Sequence, residues 1–462
     1  MFIFVQPMYS KQELNADSNY VVYSQLIKAM RSVRPSWHFV VVFPDKESGF
    51  KYDDDGFFRS SNVTRVPQRI SPRKMSNAIS FDGIWYDTLF RRIGFDIAWV
   101  NLVELAGAIK SAGAGTFELK GRPVVVAAHN YVIHRSLPYG FEVQQHIAFA
   151  QLSGALFADH NVFNSEYCRW MLFDTAKDWL HDAAMQTISE KSSLIPYGPL
   201  EPELSYAPPD SEIPVIIYNH RLQAYKNYQI TFDLLNEIYQ EGHRFEVHYL
   251  NNTTEKIATI AKYPFVKPIF NATRADYLRA LRAGHLNITN SQHETFCISA
   301  IESMALGQCL IAPLGITFPE ITGYKENGYP FLFTSREEQK RMIIHLLENP
   351  EDRHRWGKIL SDHVTSNYQM PLWAERYASL FERLTDFTLG TSEDGREFVM
   401  YELRSNPGLS ISDFYNRIAG KEINGRIPFG NQSMPPTKLV RLIREMGGRI
   451  TMERGIQRVY PT

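Results

Sequence analysis

The sequence predicts an α/β protein built on doubly wound parallel sheets, with a separate basic module at its C-terminal end, and three observations predict it. Within the first 200 residues, short apolar runs alternate with longer stretches of helical periodicity, the pattern of a parallel sheet covered by helices on both faces. After a proline-rich stretch from Pro196 to Pro214 the same alternation resumes. Residues 401–462 carry a net charge of +5 against −6 for the other 400, an asymmetry that marks a distinct module with a polyanionic partner.

A chain of 462 residues is too long for one hydrophobic core, so two or three domains are expected. The 44% hydrophobic and 13% aromatic content is that of an ordinary globular protein, and no apolar run approaches the ~20 residues of a membrane span. The opening MFIFVQPMYSK lacks the basic flank and length of a signal peptide. Cys168, Cys297 and Cys309 are scattered, with neither metal-ligand nor disulfide spacing, which points to a reducing, cytoplasmic location.

In the first domain, strands are expected at Phe2–Gln6, His38–Phe43, Ile97–Asn101, Val124–Ala128 and Asn161–Asn164, with helices over Ser18–Val33 and Glu142–Phe157. Ligands of such sheets bind beyond the carboxyl ends of the strands. The first such loop, Gln6-Pro7-Met8-Tyr9, has no glycine-rich turn, so nothing argues for a dinucleotide. The run ending at Ala128 leads into His129 and Asn130, which places His129 where a catalytic group would sit; His134 and Arg135 follow as lesser candidates. Asp53–Lys74 reads as a long loop whose Arg59, Arg65, Arg69, Arg73 and Lys74 form a basic stripe.

The second domain opens with a strand at Val215–Tyr218, followed by Arg221 and Lys226 in the turn toward a helix. Strands at Glu246–Leu250 and Val266–Phe270 and a helix at Arg274–Ala283 come next. A short apolar run, Leu286–Thr289, ends in the polar turn Asn290–His293; apolar residues at helical spacing then predict a helix from near Thr295 to Gly307. Glu294 and Glu302, eight helical positions apart, would stand about 12 Å from each other. That is too far for the ~5 Å pair of a retaining glycosidase. It suits two ends of one elongated ligand, with the positive pole of the helix between them for a phosphate. Further helices are expected at Glu337–Glu348 and Ser361–Thr385.

Beyond the linker Leu389–Gly395, a helix over Ser410–Ala419, a second over Lys438–Met446 and two short strands within Arg449–Tyr460 look like a winged helix-turn-helix. Lys438, Arg441 and Arg444 would share one helix face, suited to a major groove. Arg449, Arg454 and Arg458 would arm the wing for phosphate or the minor groove.

The stretch Glu294-Thr-Phe-Cys-Ile-Ser-Ala-Ile-Glu302-Ser-Met-Ala-Leu-Gly307, with Phe318-Pro319-Glu320 after a short strand, resembles the donor-site signature of retaining GT-B glycosyltransferases of the family 4 type. Arg221 and Lys226 resemble the same family's paired cations. Thr295, Cys297, His220 and Asn227 stand where the family has glycines. The resemblance implies a GT-B architecture: residues 1–200 an acceptor domain, 201–360 a donor domain, 361–388 a helix returning to the first domain, and 396–462 the winged-helix-like module. It implies a UDP-sugar co-substrate, no cofactor and no metal, in keeping with the lack of a D-x-D pair at the site. Arg221, Lys226 and the backbone around Thr295, Phe296, Cys297 and Ile298 would hold the diphosphate, Glu302 the ribose, and Glu294 with His129 the sugar. The strand-then-histidine arrangement is also similar to that of phage DNA glucosyltransferases. With the basic tail, it implies duplex DNA bearing a hydroxymethylated pyrimidine as acceptor. A glycan, glycolipid or protein acceptor is the alternative, and a DNA-binding regulator on an inactive transferase core the second.

Overall fold

The computed structural model describes residues 1–9, 14, 17–52, 57, 60, 62–69, 83–93, 95–114, 123–136, 141–200, 204–209, 211–251, 256–270, 274–385, 400, 402–410, 413–414, 443, 449–453 and 456–461. Two parallel sheets face each other. The first holds β1 (Phe2–Gln6), β2 (His38–Pro44), β3 (Val63–Gln68), β4 (Ile97–Val100), β5 (Val124–His129), β6 (His160–Phe163) and β7 (Ser192–Leu194), in the order β3-β2-β1-β4-β5-β6-β7. The second holds β8 (Val215–Tyr218), β9 (Glu246–Asn251), β10 (Val266–Phe270), β11 (Leu286–Ile288), β12 (Cys309–Pro313) and β13 (Leu332–Phe333), in the order β10-β9-β8-β11-β12-β13. The central strands read as unbroken apolar runs because both sheet faces are covered: Ile3, Phe4 and Val5 are fully buried, as are Ile216, Ile217 and Tyr218. In each sheet the strand order reverses beside the first strand, between β1 and β4 and between β8 and β11, which puts the ligand crevice at those carboxyl ends.

The two sheets are held together by a helix that returns. Met370–Thr385 lies on the first domain, where Tyr377 packs on Trp99 with ring centroids 5.1 Å apart and Phe381 stacks on Trp37 at 6.2 Å. Arg34, closing the Ser18–Val33 helix, forks onto Glu375 at 2.8 Å and Glu382 at 2.6 Å. Trp373 meets Tyr197 in the hinge at 4.8 Å, and Tyr197 meets Phe296 of the loop after β11 at 5.5 Å, so one aromatic chain runs through both domains. Gly198 lies so close to this crossing that a Cβ on it would stand 2.4 Å from the Tyr368 carbonyl oxygen.

Several expectations are corrected. Val63–Gln68 is not loop but an edge strand pairing parallel with β2; its exposed, proline-bearing pattern is what an edge tolerates. His129 is the last residue of β5 rather than a residue beyond it. The helix expected from Thr295 begins at Ile298, so the ~12 Å helical spacing of Glu294 and Glu302 does not apply. The single helix Ser361–Thr385 is two, Pro350–Asn367 and Met370–Thr385, because Pro371 is accepted only in a first turn. Ser410 ends a strand, β14 (Leu409–Ser410), which joins β15 (Arg449–Glu453) and β16 (Ile456–Tyr460) in an antiparallel sheet of order β14-β16-β15. Arg59, Arg73, Lys74, Lys438, Arg441, Arg444 and Arg454 lie outside the described residues. No helix among the described residues is long and apolar enough to cross a membrane.

The returning helix sets the first prediction. Phe381→Ala empties a fully buried site shared with Trp99, Trp37 and Tyr377, and is expected to destabilise the protein by about 3–5 kcal/mol, read from urea denaturation.

Candidate donor-binding site

Two loops meet at the crevice of the second sheet. After β8 the chain turns through Asn219–Gln223 into the short 3₁₀ turn Ala224–Lys226, and Asn227 then adopts a left-handed conformation, φ 48°, that aims the next helix away. After β11 it runs irregularly from Thr289 to Phe296 before Cys297, also left-handed at φ 71°, starts the Ile298–Ala305 helix. Two of the four positions where the resembling family has glycine thus retain a glycine-like backbone with a side chain present. For Cys297 that conformation costs about 1–2 kcal/mol.

Between these loops lies a pocket of about 310 Å³ lined by Asn219, His220, Arg221, Tyr225, Lys226, Glu294 and residues 295–299, and from the first domain by Asn19, Val22, Asn130 and Tyr197. At its centre the buried Lys226 ammonium is bonded to a Glu294 carboxylate oxygen. Burial alone would lower the Lys226 pKa, but the Glu294 charge prevails and it is raised. Burial would likewise raise Glu294, yet Lys226 and the neighbouring histidines hold it below the usual carboxylate value. The pair is therefore ionic, with Lys226 also 4.8 Å from the Tyr225 ring centroid. Arg221 is exposed at the mouth, donating to the Tyr225 hydroxyl at 3.2 Å.

His220 is buried, its pKa pushed down to about 3 by desolvation and the adjacent lysine, and its Nε2 has no partner among the described residues. His220, Glu294 and Cys297 each offer a ligand atom within 4.8 Å of the others. A cation held there would have to displace the Lys226 ammonium, and burial pushes the Cys297 thiol up to about 12, so the set suits the lysine better than a metal.

Thr295 does something that no pattern announced. Its hydroxyl donates to the Asn130 carbonyl at 2.8 Å and accepts from Asn164 Nδ2 at 3.2 Å, while Ser165 Oγ donates to the Thr295 carbonyl. The donor loop is therefore stitched to the ends of β5 and β6. Glu320 makes a second seam by accepting the Glu166 N–H with both oxygens at 3.0 Å.

Of the residues singled out from sequence, the pocket gathers Arg221, Lys226, Glu294, Thr295, Phe296, Cys297 and Ile298. His129 is buried, pairs through Nε2 with Asn161 at 2.9 Å and stacks on Phe163 at 4.3 Å; its neighbour Asn130, not His129, is in the lining. Burial lowers its pKa to about 4, so it is neutral. Glu302 is 2% exposed, accepts the Tyr277 hydroxyl at 2.9 Å and is not in the pocket lining, although Tyr277 also accepts from the lining residue Asn219 at 3.3 Å. Asn219 was findable as the first residue past β8, whereas Tyr277 comes from a helix with no local signal. His134 is tied to Asp174 at 2.9 Å, and Arg135 lies 3.2 Å from the same carboxylate. Arg65 lies over the Phe43 ring at 5.3 Å and donates to Tyr52, and Arg69 pairs with Glu47 at 3.6 Å. Arg449 lies 5.7 Å from the Tyr460 ring centroid, and Arg458 donates to the Gly408 carbonyl.

Residues 207–360, which contain this pocket's second-domain wall, match the family model described as Glycosyl transferases group 1. Solved structures share the fold across most of the chain. Sucrose-phosphate synthase from Thermosynechococcus elongatus is 14% identical with a TM-score of 0.64, over 83% of this chain and 99% of that one. HepE from Anabaena, in complex with UDP-glucose, is 14% identical with a TM-score of 0.58, over 83% of this chain and 100% of that one. A protein assigned as a UDP-N-acetylglucosamine 2-epimerase from Listeria monocytogenes is 14% identical with a TM-score of 0.53, over 84% of this chain and 97% of that one. The fold is GT-B, and it hosts more than one chemistry on nucleotide-sugars.

Three outcomes are expected. Lys226→Met leaves the part-buried Glu294 without its ammonium, costing up to about 3 kcal/mol, and adding Glu294→Gln restores most of it in a urea-denaturation cycle. Because Glu294 is depressed and Lys226 raised, the pair's contribution should be lost below about pH 4 and above about pH 10.5, and be flat between. Cys168, Cys297 and Cys309, all buried with raised thiol pKa values, should resist a disulfide reagent at pH 8 until the protein is unfolded.

Proposed function

We propose that this chain is a retaining glycosyltransferase that moves a sugar from a UDP-sugar to a hydroxyl acceptor, and that the acceptor is a hydroxymethylated pyrimidine in duplex DNA. The observation that carries the transferase reading is the convergence of Arg221, Lys226, Glu294 and the turn at 295–299 on one pocket at the β8/β11 switch point. In this reading Lys226 and Arg221 neutralise the leaving diphosphate as the sugar C1–O bond breaks and its electron pair moves to phosphate. The acceptor oxygen attacks from the same face, and its proton passes to the departing phosphate oxygen. Glu294, held ionised by Lys226, orients the sugar hydroxyls and faces the developing positive charge. Neutral His129 lies one residue from the lining, where it fixes the end of β5 that carries Asn130.

The DNA acceptor is supported by the +5 charge of residues 401–462 and by the antiparallel β14-β16-β15 sheet, whose short first strand and terminal hairpin fit a winged helix. A base inside a duplex would have to be flipped into the interdomain cleft.

The test is direct. With UDP-glucose, UDP-galactose and UDP-N-acetylglucosamine offered against hydroxymethylcytosine-containing and plain duplexes, digestion and mass spectrometry should show one hexose added only to the modified base. Nuclear magnetic resonance of the product should show the donor's anomeric configuration. Turnover of a glycan but of no duplex would leave the transferase reading and remove the DNA acceptor. No donor hydrolysis or transfer with any partner would remove both.

A further inference from the structure

A second and larger cavity, about 1050 Å³, opens on the other side of the Thr295–Ser165 seam from the donor pocket. One wall is the start of the Glu166–Ala176 helix of the first domain; the other is built from the 316–327 segment and the end of the Pro350–Asn367 helix of the second. The catalytic reading above uses none of it.

Its chemistry is specific. Trp170 is 48% exposed, unusual for so large an apolar ring, and it does not hang free. Tyr167 stacks beside it with centroids 5.5 Å apart and planes 23° from parallel, and His134 packs at 5.2 Å, itself anchored to Asp174. Trp170, packed by Tyr167 and His134, is therefore a fixed, half-exposed aromatic surface on the cavity wall. Opposite stands a polar rim in which Glu326, Asp362 and Ser366 are exposed. The lining holds four carboxylates, Glu166, Glu320, Glu326 and Asp362, and one lysine, Lys325; Glu166 pairs with Arg169 at 2.7 Å and Asp362 with Lys358, so the cavity offers hydrogen-bond acceptors with no surplus of positive charge.

We infer that this cavity is a binding site for an uncharged oligosaccharide, separate from the donor pocket. A pyranose has an apolar face of C–H groups that lies on a flat aromatic ring and an equatorial belt of hydroxyls that donate to carboxylates, and the cavity supplies both in facing walls. Its volume is at the top of the ~300–1,000 Å³ range of small-molecule sites, room for two or three hexose units. With no surplus of cations, the lining gives a nucleotide, a sugar phosphate or a nucleic-acid backbone no counter-charge. Since the walls belong to different domains, an occupant bridges them and adds to the Glu320–Glu166 seam.

The full-length protein is titrated with maltotriose, cellotriose and chitotriose, read by tryptophan fluorescence and by thermal shift, with UDP and glucose 6-phosphate as anionic controls. At least one neutral trisaccharide should bind saturably and raise the melting midpoint, with little change at high salt. Binding should weaken about tenfold or more in Trp170→Ala and in Asp362→Ala and persist in Tyr167→Phe. The inference is overturned if no trisaccharide saturates by roughly 50 mM. It is equally overturned if glucose 6-phosphate binds as well as the neutral sugars, or if a folded Trp170→Ala binds like the unaltered protein.

Discussion

The buried pairing of Lys226 with Glu294 is the constraint around which the second domain's crevice is arranged. Neither charge could be left alone at that depth, because a solitary buried ion would neutralise instead. Each partner reaches the other only because its loop makes a left-handed turn next to it, at Asn227 and at Cys297. The second of those turns starts the Ile298–Ala305 helix with Ile298 and Ser299, its first residues, in the pocket lining. An anionic ligand entering there meets an ammonium already desolvated and held in place, with only its partner to be shared.

The same loop also carries the domain seam. Phe296 plugs into the aromatic chain through Tyr197 and Tyr368, and Thr295 bonds to the ends of β5 and β6. Donor-site geometry and interdomain geometry are thus properties of one six-residue segment, Glu294–Ser299. A displacement of either domain would pull on Thr295 and so on Glu294. The side chain at position 295, where the resembling family carries glycine, adds to this coupling: a glycine has no hydroxyl to bridge Asn130 and Asn164.

Much of the architecture was legible along the chain. Buried parallel strands announce themselves as continuous apolar runs, and Phe2–Gln6 and Val215–Tyr218 came out with the bounds read from sequence. Of the edge strands, Val266–Phe270 was read but β3, β7 and β13 were not, since β3 is half solvent-facing and contains Pro67, while β7 and β13 have three and two residues. The helix start at Ile298 was misplaced by three residues because apolar spacing continues through Phe296, which is buried for an interdomain reason and not as part of a helix face.

By itself the sequence determined the alternation of strand and helix, the switch-point loops, and the residue types that converge there, because these follow from local periodicity and from spacing within one loop. Only the tertiary structure decided which of those residues share a pocket. It joined Lys226 to Glu294 across 68 positions, put Tyr277 on Glu302, left His129 behind Asn130, and built an aromatic-lined cavity from two domains. The physical reason is that such contacts depend on strand order and on the docking of one sheet against another, and neither leaves a trace in local periodicity.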